Sequence, residues 1–448
     1  MKQETGQTYV VKMLTLGVAT ILVLMPVHAF FTAWAASNFG HFDLIRVWKE
    51  LLIAVLALGA AWIIYKDKEL AKSFIKNRLV QIILVYILLQ LGLGLVAFAR
   101  DQVNLNALLY GWIINLRFLV FFLVALIAAS KTSLKDRWQK LLFWPAAAVV
   151  GFGLVQQFLL PPDFLKHFGY GPDTLLPYQA VDLKTAYIRL QSTLRGPNPL
   201  GVYLILIVTA LLGVVVKQKK KNHYAWLLSG LVLALYFTYS RSAWIGVFVS
   251  VVILLWLYVN NQKVRQVILV ASAALVVLSS VAVILLRDND HVQNIFFHTD
   301  EHSTSSVSSN FDRASALKNG LKDTLSEPLG RGPGTAGPAS LRNNHSPRVA
   351  ESYYLQIGQE VGAVGLLLFI VINIYVVLYL YKQRKDTLSM VLLASFIGIS
   401  VTNLLSHAWA DDTISLIWWG LAGLALAPAI LNKKRKHNNV WTKEKTTA

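Results

Sequence analysis

The chain contains twelve apolar stretches of about helix length, separated by short hydrophilic breaks. A helix rises about 1.5 Å per residue, so roughly 20 apolar residues cross the hydrocarbon core of a membrane. The pattern predicts an all-α, polytopic integral membrane protein that forms a single membrane domain over residues 1–448. We place the spans at Leu14–Ala35, Trp48–Tyr65, Leu79–Phe98, Ala107–Ala129, Leu141–Leu160, Leu200–Val216, Tyr224–Tyr239, Ala243–Val259, Val267–Leu286, Val361–Tyr381, Leu388–Ser406 and Thr413–Leu431.

The breaks between these stretches alternate between lysine-rich and lysine-poor. If the N-terminus is cytoplasmic, the inner segments hold 26 of the 42 Lys and Arg residues and the longer outer segments hold 14. The positive-inside rule therefore predicts that both termini are cytoplasmic. The same bias accounts for the net charge of +19 through contact with anionic membrane lipids, so no nucleic-acid partner is needed to explain it.

Several other chemistries are disfavoured. The absence of cysteine excludes disulfides, thiolate catalysis and cysteine metal sites. The motif His298-Thr-Asp-Glu-His302 matches a zinc-peptidase pattern, but it adjoins a serine-rich tract and no third ligand suggests itself, so we predict no metal. The glycine-rich segment 329–337 lacks the strand and the Gly-Lys-Ser/Thr of a nucleotide loop, so we interpret it as a turn and expect no cofactor.

The N-terminus resembles a signal peptide, with Lys2, Lys12 and a small-residue segment at 33–36. The apolar run of about twenty residues is too long for a cleaved signal, so we expect it to remain as the first span.

Two predicted outer loops are much longer than the others. They cover residues 161–199 and 287–360, and loops of this length are usually functional or disordered. In the second loop, the serine-rich tract 303–310 is expected to be mobile. After it, apolar residues at helical spacing predict an amphipathic helix on the outer face of the bundle: Phe311, Ala314, Leu317, Leu321 and Leu325.

Charged residues at the membrane are the next candidates for function. Arg117 lies mid-span, where it could form a structural ion pair with Glu50 or serve a substrate. Lys49, near an outer span end, is expected to extend toward the interface. Arg241 lies at the predicted outer border and Arg313 in the first turn of the amphipathic helix, where a cation opposes the helix dipole unless an anion is near. Either arginine could contact lipid headgroups, but together they favour a polyphosphate ligand.

Four segments of the chain resemble a known family. They are Arg189 followed by Ser192-Thr193 and Pro197-Asn198-Pro-Leu-Gly; Ser240-Arg-Ser-Ala-Trp244; Arg313 followed by Pro328-Leu-Gly-Arg-Gly-Pro-Gly334; and Glu351-Ser-Tyr-Tyr-Leu-Gln356 with the glycines after it. In this order they are similar to the O-antigen ligase and O-antigen polymerase superfamily, which has a Wzy-like C-terminal domain and a GT-C-like membrane fold. The resemblance covers about residues 185–430.

The resemblance implies a metal-independent glycosyltransferase of the bacterial plasma membrane. Its donor would be an undecaprenyl-diphosphate-linked glycan, and its acceptor another glycan outside the membrane. On this analogy Arg189, Asn198, Arg241, Arg313 and Arg117 would bind the diphosphate or the substrate. A flippase and a chain-length regulator would be further partners.

The chain departs from the family at the expected base. Ligases carry His-Asn where this chain has Glu351-Ser352, and the nearest histidine, His345, lies six residues upstream. Either residue could accept the proton of the acceptor hydroxyl. Expected rigidity favours Glu351, because His345 lies in a stretch expected to move, whereas the analogy favours His345.

Four functions compete. The first is a polymerase that joins repeat units of a surface polysaccharide, and the second is a ligase that moves finished glycan to a lipid or protein. A flippase or transporter of lipid-linked sugars is the alternative from another class, although the polar signatures cluster at the predicted outer surface rather than at a midplane site. A non-catalytic assembly subunit is the fourth option.

Overall fold

The computed structural model describes residues 2–181, 185–218, 222–297 and 309–431. Its α-helices, numbered α1 to α18 in chain order, are Lys2–Leu24, His28–Phe39, Phe42–Arg46, Trp48–Lys66, Lys68–Ile75, Arg78–Ala99, Leu105–Lys131, Trp138–Phe158, Pro197–Gln218, Asn222–Phe237, Arg241–Tyr258, Gln262–Leu285, Asp290–Val292, Ser309–Ser326, Gly337–Ser340, Tyr353–Lys382, Thr387–Asn403 and Asp412–Leu431. Strands β1 (Gln179–Ala180) and β2 (Ile188–Arg189) pair antiparallel, with Gln179 opposite Arg189.

The all-α membrane architecture is confirmed. Within the described residues, ten helices are long and apolar enough to cross a membrane, and two shorter apolar helices lie at Trp226–Phe237 and Thr387–Asn403. Each of these twelve helices overlaps one predicted span. The first is a pair, α1 and α2, joined by a 3-10 turn at Met25–Val27 that contains Pro26. Since proline cannot donate a backbone hydrogen bond, it marks the point where the helix bends.

Helices α7, α9, α17 and α18 form the centre of the bundle. In α18 almost every residue is buried, and its Gly423 lies against the backbone of Phe122 in α7. Helix α12, in contrast, has no buried residue although its sequence is almost wholly apolar. Such a surface is stable in lipid rather than in water, so α12 lies on the membrane-facing periphery.

Polar side chains begin several of the helices. In each case a side-chain oxygen accepts hydrogen bonds from the first turn, which leaves fewer unpaired N–H groups near the membrane. Asn104 caps α7 at Ala107 N, 2.8 Å away, and its amide also donates to Arg342 O at 2.8 Å. This cap therefore joins the start of α7 to the second long loop. Other caps of this kind among the described residues are Asp67, Asn77, Asn261, Asn289, Asp386 and Asp411.

Helix α16 is broken at Val361 and Gly362, whose backbone angles are not helical. The glycine-rich segment 329–337 fills the break. The backbone N–H of Gly332 donates to Glu360 O at 2.7 Å, and that of Arg331 donates to Gln359 O at 3.1 Å. A break at membrane depth is tolerated when the freed backbone groups find new partners. The prediction of a turn was therefore incomplete, because the segment inserts into the bundle.

Gly362 is required at this break for two reasons. Its φ is +67°, and a Cβ at this position would collide with Pro328 O. We expect Gly362→Ala to lower the free energy of unfolding by about 2–4 kcal/mol, measured as a lower thermal midpoint in detergent. Gly92→Ala is the matched control, because Gly92 has open space around it. An equal midpoint for both variants would contradict this account.

The predicted amphipathic helix exists as α14 (Ser309–Ser326). It contacts α16 through a small and polar face, where Gly320 meets Leu355 and Thr324 meets Gly358. Leu321 and Leu325, which belong to the predicted apolar stripe, are exposed instead. The stripe therefore turns away from the bundle, which leaves these leucines available to lipid.

Candidate active site

Arg189 connects two of the signature segments. Its Nε donates to Thr238 O at 2.9 Å, and its Nη2 donates to Asn198 Oδ1 at 2.6 Å. The backbone N–H of Leu190 also donates to Phe237 O at 2.8 Å. The segment from 189 to 198 and the end of α10 are thus held together, as the family pattern implies.

Arg241 is the first residue of α11 and follows the buried Ser240. Its guanidinium donates to Phe296 O. The first turn of a helix carries partial positive charge on its free N–H groups, so a cation here is stabilised by a nearby anion. Arg241 therefore lies at the start of a helix, and its role in binding an anion stays a prediction.

The loop that carries Glu351 reaches the same end of the bundle. Ser352 Oγ donates to Asn403 O at 3.1 Å, and the adjacent Thr402 Oγ1 donates to Ser242 O at 3.1 Å. Two hydrogen bonds through the end of α17 therefore join the neighbour of Glu351 to the neighbour of Arg241. The structure thus places Arg189, Arg241 and the Glu351 loop at one end of α11.

Backbone strain is concentrated in these segments. Ser192, Tyr239 and Glu351 have φ values of +52°, +46° and +54°. Left-handed backbone costs a residue other than glycine about 1–2 kcal/mol, and such residues cluster at functional sites. Each of the three lies within or next to one of the signature segments, which supports a shared site.

A family model described as O-Antigen ligase matches residues 223–370. Residues 223–370 are therefore similar to an O-antigen ligase domain. This matched region contains Arg241, Arg313, His345 and Glu351, whereas Arg189 lies upstream of it. The match indicates a membrane protein with a glycan-transfer function. No curated protein matches the chain.

A cluster of ion pairs within the matched region holds the loop that carries Glu351. Arg348 Nη2 lies 2.9 Å from Asp323 Oδ2 and 3.1 Å from Glu327 Oε2. Burial alone would raise the pKa of Asp323, but hydrogen bonds from Arg348 and Gln359 more than offset it and lower that pKa. The carboxylate stays charged, so it anchors α14 to the loop three residues before Glu351.

Within the matched region, the stretch around His345 is hydrogen-bonded as well. Asn343 Nδ2 donates to Gln102 O at 3.1 Å, and His345 Nε2 lies 2.8 Å from Asp101 O. A carbonyl oxygen only accepts, so Nε2 carries the proton and Nδ1 is the basic nitrogen. The mobility of this stretch stays a prediction, and hydrogen bonding alone does not separate His345 from Glu351.

Some predicted residues of the matched region fall outside the described part of the chain. Arg313 is the fifth residue of α14, which begins at Ser309, so it lies just past the first turn in which it was predicted, and its side chain is not described. The zinc-like motif 298–302 and most of the serine-rich tract lie outside the described residues. Among the described residues, no group of histidines and carboxylates could hold a metal ion.

Arg117 lies in a separate charged pocket, outside the matched domain. Its Nη1 is 3.2 Å from Glu50 Oε1, and its Nη2 donates to Ala410 O at 2.7 Å. The predicted ion pair with Glu50 therefore forms. The pocket has a volume of about 120 Å³, and its lining includes the charged residues Arg46, Lys49, Glu50, Arg117, Arg195 and Asp412.

Lys49 does not extend to the interface as expected. Its side chain is 1% exposed, and its Nζ lies 3.2 Å from Glu50 Oε2 and 3.1 Å from Asp412 Oδ2. A buried cation is stable only when it is paired and hydrogen-bonded. The sequence could not show this pairing, because Asp412 is more than three hundred residues away.

Two further features concern residues near the site. Trp409 and Tyr353 are fully buried and pack in the core, so neither ring is exposed to a sugar. Arg195 was not singled out, yet it lines the charged pocket and pairs with the buried Asp411 at 3.1 Å. No local signal in the sequence distinguishes Arg195 from a solvated arginine before Gly-Pro.

Proposed function

We propose that this protein is a polysaccharide polymerase of the bacterial plasma membrane. It would use an undecaprenyl-diphosphate-linked glycan as donor and join repeat units on the outer face, with both termini cytoplasmic. The observation that carries the proposal is the meeting of Arg189, Arg241 and the Glu351 loop at one end of α11. At one place, two cations can stabilise the diphosphate as it leaves, and a candidate base can take the proton of the acceptor hydroxyl.

The reaction follows from these roles. The acceptor hydroxyl oxygen attacks the anomeric carbon of the donor, and the bond from that carbon to the diphosphate oxygen breaks. Glu351 takes the proton of the hydroxyl. Undecaprenyl diphosphate leaves with the bonding electrons, and its new negative charge is stabilised by the guanidinium groups of Arg189, Arg241 and Arg313.

A ligase would use the same groups with a different acceptor. The polymerase is preferred because Glu351-Ser352 replaces the His-Asn of ligases. A transporter is favoured by one observation, since broken helices such as α16 are common in transporters. In this chain, however, backbone N–H groups of the glycine-rich segment donate hydrogen bonds to the carbonyl oxygens at the break. Those oxygens therefore already have partners other than a transported ion.

The test uses the purified full-length protein in lipid nanodiscs. Its donor is the undecaprenyl-diphosphate-linked repeat unit extracted from cells that make the polysaccharide. We expect release of undecaprenyl diphosphate and growth of lipid-linked glycans of two or more repeat units, with and without EDTA. Growth only after addition of a separate lipid or protein acceptor would identify a ligase. Donor movement across vesicles without release of undecaprenyl diphosphate would identify a flippase.

A further inference from the structure

The charged pocket opens beneath both long loops. Thr174 and Leu175 of the first loop line it, together with Arg195, which is three residues before Asn198. From the second loop, Arg342 bonds to Asp43 at 2.9 Å and lies over the ring of Tyr110, a lining residue. The pocket is therefore on the same face of the bundle as the arginine segments.

The chemistry of the lining does not suit a phosphate. Its cations are already paired: Arg117 with Glu50, and Lys49 with Glu50 and Asp412. At the mouth, Arg195 pairs with Asp411. A diphosphate would approach the carboxylates Glu50 and Asp412, and like charges repel at short range. The pocket therefore differs from the cluster around Arg189 and Arg241.

The same lining suits a sugar ring. Sugar hydroxyls both donate and accept hydrogen bonds, so carboxylates and guanidinium groups can satisfy them together. Phe42 adds aromatic surface for an apolar C–H face of a sugar. The volume of about 120 Å³ holds on the order of ten waters, which is comparable with one ring and its hydroxyls.

One buried polar atom of the pocket lining, Arg117 Nε, also needs a hydrogen-bond acceptor. Arg117 is 8% exposed, and its Nε has no hydrogen-bond acceptor among the described residues. A buried N–H group without an acceptor is unfavourable, and the effect is larger near a membrane core. Because Arg117 lines the pocket, a sugar hydroxyl bound there is a suitable acceptor.

We propose that the charged pocket binds one sugar residue of the acceptor glycan. This inference rests on the proposed transferase function. The acceptor is favoured over the donor because the lining carboxylates Glu50 and Asp412 would repel the diphosphate of the donor. The acceptor hydroxyl is the group that must lie within reach of the base.

The test fills the pocket without removing a charge. Ile113 lines the pocket on α7, so Ile113→Trp would occupy it. Leu109→Trp is the matched control, since Leu109 is an exposed residue one turn earlier on the same helix. The acceptor probe is the repeat-unit oligosaccharide released from the donor by mild acid, and the second probe is undecaprenyl diphosphate. Binding of each to purified protein is measured by calorimetry.

We expect Ile113→Trp to weaken oligosaccharide binding at least tenfold, and Leu109→Trp to leave it unchanged. Both variants should bind undecaprenyl diphosphate as the wild type does. Phe42→Ala, which enlarges the pocket, should also weaken oligosaccharide binding.

Equal oligosaccharide affinity in Ile113→Trp and wild type would overturn the assignment, as would an equal loss in Leu109→Trp. Weaker binding of undecaprenyl diphosphate by Ile113→Trp would assign the pocket to the donor and also overturn it. Wild-type protein that binds the oligosaccharide but releases no undecaprenyl diphosphate from the donor would instead refute the proposed transferase.

Discussion

Arg241→Lys is expected to reduce glycan polymerisation by roughly 10- to 100-fold, with the amount of folded protein unchanged. Lysine keeps the charge at the start of α11 but loses the planar fork that can hold two phosphate oxygens. Loss of one charge-assisted hydrogen bond costs about 1.5–3 kcal/mol, and about 1.4 kcal/mol corresponds to a tenfold change in rate. The measurement is kcat/KM for the lipid-diphosphate donor with purified protein.

The matched control is Arg265→Lys, near the start of α12, where the arginine contacts the other end of α11. Arg265 also donates to backbone carbonyls, those of Trp256 and Val259, and its guanidinium lies over the Trp256 ring. We expect this variant to polymerise glycan at the wild-type rate. Comparable losses in both variants would mean that Arg241 acts only in packing, and wild-type activity of Arg241→Lys would refute the bidentate contact.

Glu351→Gln is expected to lower kcat by about 10²–10⁴-fold, the usual contribution of a general base. Glutamine keeps the shape of the side chain and removes only its ability to take a proton. Because donor binding depends on the arginines, the KM for the donor should change little. Single-turnover rates with labelled donor separate the chemical step from binding.

His345→Ala is the paired comparison and is expected to retain substantial activity. His345 is hydrogen-bonded to Asp101, in the turn before α7. Ser352, the neighbour of Glu351, is hydrogen-bonded instead to the end of α17, and that end also bonds to Ser242, the neighbour of Arg241. Inactive His345→Ala with active Glu351→Gln would assign the base to the histidine. Full activity in both variants would exclude both residues as the base.

The sequence predicted the membrane helices well, because each span must satisfy its own backbone hydrogen bonds and is therefore encoded locally. It placed the start of one span at Val361, whereas α16 begins at Tyr353 and is broken at Val361–Gly362. That break depends on contacts with the glycine-rich segment that precedes α16 in the chain. A hydropathy pattern does not reveal such contacts. Likewise, the sequence predicted the leucine stripe of α14, but it did not predict which face of α14 packs on α16.

The candidate site was predictable in part. Arg189 and Asn198 stood out through the resemblance to a known family, and Arg241 stood out because charged residues are rare at the membrane border; the structure brings their segments together. The charged pocket could not be predicted as a unit. Its pairs join residues far apart in the chain, such as Lys49 with Asp412 and Arg195 with Asp411, and no single segment carries the signal.

The packing of the glycine-rich segment against α7 limits which parts of this chain can be exchanged with those of a related protein. Gly334 packs so closely on α7 that a Cβ at Gly111 would collide with its backbone, and its N–H donates to Glu360 Oε1 at 2.8 Å. Asn115 of α7 donates to the other oxygen of that carboxylate at 2.6 Å. The region that matches the family model is therefore not a transferable module. A chimera that imports residues 223–370 alone would have to carry a compatible α7 with it.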